Sequence, residues 1–586
     1  MSLIAELRRR KVIRVAIAYI AGSWLLIQVA ETLLPVYGYG DATIRTTVAA
    51  LVIGFVPAVL VSWLFQRTAG GLEKQSVLDA SGTAESGTGL SDGEIVLAGL
   101  PFDNLSSDPE TQYFSDGISE EIIQRLSRGA DLKLIGRTSS FQFRDERKAE
   151  AAEALNCSHV LDGSIRRAEA RVRISAHLVE AASATTLWSD RYDRSLEDIF
   201  AVQDDISEKI AGALHQAFSS FSSEQVEPDV YDLYLRASLS SYAPEELRTK
   251  IGLLEVATQR APNFAEAWAR LAYSRAWLRF YAPFGQRAAS ASQVASDAGK
   301  ALTLDSLNAD ALLAKLFVIP PFGSFSESWE ALEKVRQAPV ISDGRKYVGW
   351  FLRHFGMVQE SLVEDEEAYR SDPLDPMSAN IVGLSRQAAG QFQEAVPVFE
   401  ELVARIPDMS FPFTNLLRAK ALLEDWSGVD DLLELAKDRP LREFEDGLTF
   451  IRAKRDPVPA NINKWRTNFI EQTKETGCAD VAKLVYAAHL GLLDEAYDAA
   501  ETACLGPVGG ENDVMGPDGY RTSMLFQVGL PEIRQDPRFV RLCARLGLVE
   551  FWLASDLWPD CVDEVPYDFK AECKKASHVS KDDFGY

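Results

Sequence analysis

The residues around Pro373 recur around Pro407, as a repeated pattern of paired helices. A period in the range of roughly 20–50 residues is a severe constraint, because each unit cannot bury its own apolar face and must stack on its neighbours. With Pro407 closing one unit, Gly383, Ala395 and Phe399 fall where a helix pair needs two small residues and an aromatic. The small residues let the paired helices approach closely, and the ring fills the gap between neighbouring pairs. The unit before it offers Gly349 and Pro373.

The helical pattern opens at about Asp229 with VYDLYLRA. RAPNFAEAWARLAYSRAWL around Pro262 reads as another junction, and LTLDSLNADALLAKL around Asp305 as a degenerate one. Helix pairs continue through FTNLLRAKALLEDWSGVDDLLELA and VAKLVYAAHLGLLDEAYDAA. The interval from Pro373 to Pro407 resembles the period of tetratricopeptide (TPR) repeats, about 34 residues. That resemblance implies an all-α TPR-like superhelical solenoid over residues 229–550. Its concave groove would take a protein partner, with the binding residues not named by the sequence. RFVRLCARLGLVEFWLASDLWPDC resembles the terminal segment of such proteins, a capping helix followed by a loose C-terminal tail over 551–586.

A chain of 586 residues exceeds one core, so several units are expected. Its 86 acidic side chains outnumber 61 basic ones, for a net charge of −25, and no basic stripe offsets that excess. This excludes general binding of nucleic acid. The six cysteines (Cys157, Cys478, Cys504, Cys543, Cys561 and Cys573) form no CxxC pair and read as buried thiols of a reducing compartment. Cys561 and Cys573 could pair if the tail were extracytoplasmic.

Residues 1–68 differ from the rest and read as a membrane anchor. Val15–Ala30 carries no charge and extends to a span over about 12–34, with Arg14 snorkelling at one end. The second run, 46–65, is uncharged and contains Pro57, which a membrane helix tolerates. A secretory signal is disfavoured, because ETLLPVYGYG offers no cleavage site and a second span follows. Arg8, Arg9, Arg10, Lys11 and Arg14 precede the first span and Arg67 and Lys74 follow the second. The positive-inside rule then gives a two-helix hairpin in the lipid bilayer of a bacterial inner membrane, with both termini and the body cytoplasmic. Residues 69–93 are rich in Gly, Ser and Thr and read as a flexible linker, and their GTAESGTG lacks the Lys of a phosphate loop.

Residues 94–218 read as a small α/β domain. Strands are expected at Glu94–Phe102, Asp131–Gly136, His159–Ile165 and Arg171–Val179, with a short helix at Lys148–Asn156. Phe114, Ile118, Ile122 and Leu126 recur on one helical face, with Asp116 and both glutamates Glu120 and Glu121 toward solvent. A turn at Tyr192 leads into a helix with Ile199, Val202, Ile206 and Ile210 inward. GLPFDNLSSDPETQYFSDGISEEIIQRLSR, LIGRTSSFQF, HVLDGSIRR, RVRISAHLVEAASATTLWSDRYDR and LEDIFAVQDDISEKIAGAL resemble the successive blocks of the TolB N-terminal-like (FlgO-related) domain. That resemblance implies a domain that travels with tetratricopeptide repeats in bacterial signalling proteins, including class III adenylate cyclases, and carries no catalytic residues.

Asp116 in FSDG also raises a cyclase-type Mg²⁺ ligand. Such an aspartate follows an apolar strand, whereas SSDPETQ starts a helix, and no second metal-binding block follows. His159 and His177 lie on expected strands as structural residues, and Asp204-Asp205 and Glu364–Glu367 read as solvated helix faces. No catalytic, metal or cofactor site is expected. The expected function is a non-enzymatic signalling scaffold with the α/β domain as sensor or docking unit. The alternatives are an adenylate cyclase-related enzyme and a periplasm-facing envelope-assembly protein.

Overall fold

The computed structural model describes residues 65–68, 71–74 and, with internal gaps at 107, 109–110, 130–131, 169–170, 215–225, 239–242, 283–286, 321, 339–341, 408–409, 436–444, 507–521 and 583, residues 95–584. The chain divides into two compact units, Met1–Gly89 and Leu90–Tyr586. In the first, β1 (Phe65–Thr68) pairs antiparallel with β2 (Gly71–Lys74), so part of the expected linker is strand. The inner-membrane placement is corrected, and the lipid-bilayer partner is not supported. No helix among the described residues is long and apolar enough to cross a membrane. The expected spans 12–34 and 46–65 lie outside the described residues, except Phe65, which begins β1.

The second unit opens with a sheet in the order β5-β3-β6-β7-β8, with β4 paired to β6. These strands are β3 (Val96–Gly99), β4 (Asp103–Asn104), β5 (Lys133–Leu134), β6 (His159–Ala168), β7 (Arg171–Glu180) and β8 (Thr185–Ser195). β3 runs parallel to β5 and β6, whereas β6, β7 and β8 form an antiparallel meander. The turn expected at Tyr192 is corrected, because Tyr192 sits within the 11-residue β8. Asp190 and Arg194 stand beside Tyr192 on the face that Val172, Ile174 and Ala176 of β7 turn to the core, so β8, at the end of the sheet, shows polar residues on both faces and no alternation. Two helices, α1 (Gln112–Gly129) and α2 (Ile199–Ala213), cover one face. Phe114, Ile118, Ile122 and Leu126 of α1, with Ile199, Val202, Ile206 and Ile210 of α2, are buried there as expected. The same core continues through Val230, Tyr231, Leu235, Leu254 and Leu271, so the packing runs unbroken into the first repeat helices.

Eight helix pairs follow among the described residues, from Pro228–Ala237 with Pro244–Arg260 (pair 1) to Val481–His489 with Leu493–Thr502 (pair 8). Pair 4 is Ser342–His354 with Val358–Ser371, pair 5 Pro376–Ala388 with Phe392–Arg405, and pair 6 Ser410–Leu422 with Trp426–Leu435. Their starts at 342, 376 and 410 keep the same interval as Pro373 and Pro407, as the proline spacing predicts, and the array is TPR-like. A Cβ on Gly383 would come 2.5 Å from the Phe399 ring, so glycine is what lets the two helices of pair 5 close around that ring.

The turns inside pairs 4, 5, 6 and 8 each use a left-handed residue. Gly356, Gly390 and Gly491 supply it with φ of 88°, 78° and 81°, but in pair 6 Glu424 holds φ 60°. A side chain there costs about 1 kcal/mol, more than its 3.6 Å contact with Lys454, mostly exposed, returns. Glu424→Gly is therefore expected to stabilise the array by about 1 kcal/mol in thermal unfolding. An unchanged or lower melting point would refute the strain.

Residues 522–584 do not form a loose tail. Trp552 is fully buried and donates to the Phe355 carbonyl at 3.1 Å. Asp560 N–H donates to the Gly356 carbonyl at 3.0 Å, and Val528 N–H to that of Ala388 at 2.8 Å. Arg545 grips Asp582 through two nitrogens at 2.7 and 2.6 Å, and Phe584 packs 5.4 Å from Phe322. The segment thus straps the turns inside pairs 3, 4 and 5. The expectation of six thiols is corrected at one place: Cys478 and Cys504 form a disulfide across the parallel strands β9 (Cys478–Asp480) and β10 (Cys504–Gly506). Cys157, Cys543, Cys561 and Cys573 are free and buried.

Candidate functional site

The FSDGISEE motif does not face solvent, which corrects the expected orientation of Asp116, Glu120 and Glu121. All three are under 9% exposed, because α1 is covered on its second side by the first repeat helices. A Cβ on Gly117 would lie 2.8 Å from Leu235, so the motif's glycine is the point where VYDLYLRA lies against it. Around that contact, Tyr113 donates to Asp232 at 2.5 Å and Tyr234 to Glu121 at 2.8 Å. Asp116 accepts both guanidinium nitrogens of Arg144 at 2.9 and 2.8 Å, and Gln112 at 2.9 Å. Both its oxygens serve as anchors for that arginine. Among the described residues no group of three or more His, Cys, Asp or Glu is placed to hold a metal.

Glu120 meets Arg137 at 2.9 Å and Arg270 at 3.5 Å, and Arg270 reaches Asp310 at 3.1 Å. Burial pulls the nearby Lys250 ammonium down to about 8, with Arg270 and Arg137 adding to the effect. This charged seam joins α1 to the first helices of pairs 2 and 3. A second clasp lies at the turn between pairs 4 and 5. There Ser139 N–H donates to the Asp372 carboxylate at 2.8 Å, Gly136 N–H to the Ser371 carbonyl at 2.6 Å, and Leu374 N–H to Ser139 Oγ at 2.8 Å. The GRTSS block of the α/β domain is therefore capped by the repeats.

First helices of successive pairs pack on one another more closely than second helices do, so they line the inner side of the array. That side is already occupied in cis: α1 covers pair 1, and the turn Thr522–Phe526 packs against the first helices of pairs 4, 5 and 8. A polar ladder runs from pair 5 to pair 6. Asn415 donates to Asn380 at 2.9 Å, Gln387 to the Asn415 carbonyl at 2.9 Å, and the half-buried Arg418 to Gln387 at 3.2 Å and Asn415 at 3.0 Å.

The expected solvation of Glu364–Glu367 is corrected at Asp365, which is 0% exposed. It stands one repeat before Phe399, as Gly349 stands before Gly383 and Ser361 before Ala395. Pair 4 thus holds a polar version of the pair 5 core: Asp365 accepts from Arg353 at 2.7 Å and Ser361 at 3.3 Å, and also bonds Ser385. Its signal was in the period, since the residue at the aromatic position must point inward. Burial pushes the Asp365 carboxyl up to about 7, against the pull of Arg353.

The adjacent His354 bonds Thr522 at 2.9 Å and is driven down to about 3 by burial and by Arg353. Below about pH 6.5 the unfolded chain takes up a proton there that the folded chain refuses, so stability falls on acidification. Asp365 acts oppositely, since its folded carboxyl holds a proton that the unfolded one releases above about pH 4. Relative to the native chain, His354→Asn is expected to gain about 1.4 kcal/mol per pH unit between about pH 6 and 4 in urea unfolding. A difference independent of pH would show that His354 charges in the folded state.

The remaining expected positions lie on the sheet and on α2. His159 and His177 lie on β6 and β7, with His177 3.8 Å from Asp162. Asp204 pairs with Arg125, and Asp205 lies 3.8 Å from Lys209.

These features define an α/β domain built into a TPR-like repeat protein. No family model matches the chain. It is 44% identical over 151 residues to the candidate adenylate cyclase 3 of Rhizobium meliloti (strain 1021), over 24% of this chain and 25% of that protein. The chain therefore spans about a quarter of that relative's length. Among solved structures, the human IFIT1 dimer with PPP-AAAA is covered over 86% of its length and 67% of this chain, at 13% identity and a TM-score of 0.34. The TPR domain of P58(IPK) is covered over 98% and 60%, at 10% identity and a TM-score of 0.16. Likeness at these scores carries no argument, and the repeat assignment rests on the helix pairs themselves.

Proposed function

We propose that the chain is a non-enzymatic signalling scaffold whose repeats bind a partner protein at the half-buried Arg418, which the buried Asn380, Gln387 and Asn415 hold in place, with the α/β domain as a TolB N-terminal-like docking unit. The observation that carries this reading is the occupation of the inner side. α1 covers the first helix of pair 1 and residues 522–526 those of pairs 4, 5 and 8, so the first helix of pair 6, which carries the half-buried Arg418, is where a partner segment meets an inner polar group. Such arrays bind through shape and many modest contacts, with a charged anchor at the centre. The test is quantitative affinity purification with the full chain and with Arg418→Ala, both checked for an unchanged melting point. A reproducible partner lost in the variant supports the proposal. An identical set of partners with both chains, or none with either, overturns it.

The match to a candidate adenylate cyclase favours one second reading, a cyclase-related enzyme. Formation of cyclic AMP from ATP by the purified full chain would establish that reading and exclude the first.

A further inference from the structure

The two ends of the sheet are unlike. β5 presents a two-residue edge, which is how short edge strands avoid unwanted pairing, whereas β8 presents 11 residues. Among the described residues β8 pairs only with β7. It contains no proline, and its irregularity falls near its start, opposite Leu178 and Val179, which leaves Trp188–Ser195 regular. The charges on this edge are unevenly served. Asp190 lies 3.3 Å from Lys209, and Asp193 is gripped by Arg171 and Arg173 at 2.7 and 2.6 Å. The exposed Arg191 and Arg194 meet no carboxylate among the described residues.

We propose that β8 pairs antiparallel with β8 of a second copy of this chain, about a twofold axis through Tyr192. A twofold axis normal to the sheet keeps every residue on its own face, so residues pair only with others of the same parity. That leaves few registers. Axes through residues 190, 191, 193 or 194 each set a like-charged residue against itself, which is destabilising. Through Tyr192 every charge meets its opposite: Asp190 faces Arg194 of the second copy, Arg191 faces Asp193, and both pairs recur by symmetry. On the outer face this continues the row Arg166–Arg173–Asp193 with a further arginine, so the two unserved guanidinium groups gain their carboxylates. One strand pair is a small interface, which makes the dimer concentration-dependent. The inference is independent of the proposed scaffold function.

Sedimentation of the full chain over a concentration series tests it. The native chain is expected to dimerise, with weaker association at high salt. Arg194→Glu sets a carboxylate against Asp190 of the other copy, and Asp190→Lys sets two cations together. Each is expected to raise the dissociation constant roughly tenfold or more. The combination Asp190→Lys with Arg194→Glu re-forms both pairs with charges exchanged and is expected to restore dimerisation. Melting curves for all variants separate loss of pairing from loss of fold. A dimer indifferent to Arg194→Glu, or a combination no better than either single change, overturns the proposal. So does a monomer at every concentration.

Discussion

Asp365→Ala is expected to cost about 3–5 kcal/mol at pH 8, because it leaves the buried Arg353 guanidinium without its carboxylate. Arg353 is 4% exposed at its side chain and also reaches Ser385 and the Ile381 carbonyl, so it cannot swing to water without breaking the contact between pairs 4 and 5. The neighbouring pair supplies the control. Arg353→Gln, Ser361→Ala and Asp365→Phe together install in pair 4 the residues that pair 5 carries as Gln387, Ala395 and Phe399. Gly349 already provides the gap for the ring, as Gly383 does. Replacing a buried ionic set by well-packed apolar groups is often neutral or stabilising by about 1–4 kcal/mol. The triple variant is therefore expected to recover most of what Asp365→Ala loses. Urea unfolding decides it: a single variant within about 1 kcal/mol of the native chain would mean that water reaches Arg353.

Trp552→Ala is the second large effect. The side chain is fully buried against Phe526 and Phe569, and its indole N–H has the Phe355 carbonyl as partner. Truncation is expected to cost about 3–5 kcal/mol through the cavity and the orphaned carbonyl. The loss should be local in character. Phe551, 4.9 Å from Phe355, belongs to the same helix and loses its support, so residues 522–584 should loosen from pairs 3 to 5 first. Hydrogen exchange then reports faster exchange at Thr522–Phe526 and in the first helices of pairs 4 and 5, with the sheet unchanged. Uniform acceleration across the sheet as well would show that the strap and the α/β domain unfold as one.

The repeat architecture is legible in the sequence at pairs 4 to 6, where Pro373, Pro407, Gly383 and Phe399 mark a local period that needs no tertiary information. β7 is legible through its alternation, and β3 as a short, fully apolar run. β8 is not, because a strand at the end of a sheet carries Asp190, Arg191, Asp193 and Arg194 and resembles a turn. The faces of α1 divide the same way. Phe114 and Ile118 announce the sheet, but a helix packed on two sides shows its second face only through its partners. Asp116, Glu120 and Glu121 look like solvent residues until Arg144, Arg137 and Tyr234 are brought to them by the fold. The candidate site is less legible still. Asp365 could be found by counting one repeat back from Phe399, whereas the Asp372 clasp joins residues 233 positions apart and leaves no local trace.

The strap of residues 522–584 also has a consequence for how the chain is made. Its contacts with pairs 3 to 5 include pairs of residues 140 (Ala388 and Val528) and 262 (Phe322 and Phe584) positions apart, with Gln359 and Asp560 separated by 201. Such closures form late, because the entropy of bringing distant segments together is spent before any contact repays it. During synthesis at about 5–20 residues per second, a separation of 201 residues corresponds to about 10–40 s between the two halves of the contact. For that interval the nascent array presents Phe355, Trp329 and the first helices of pairs 4 and 5 without their cover. Translation speed thereby sets how long this surface is open to chaperones, or to another nascent chain.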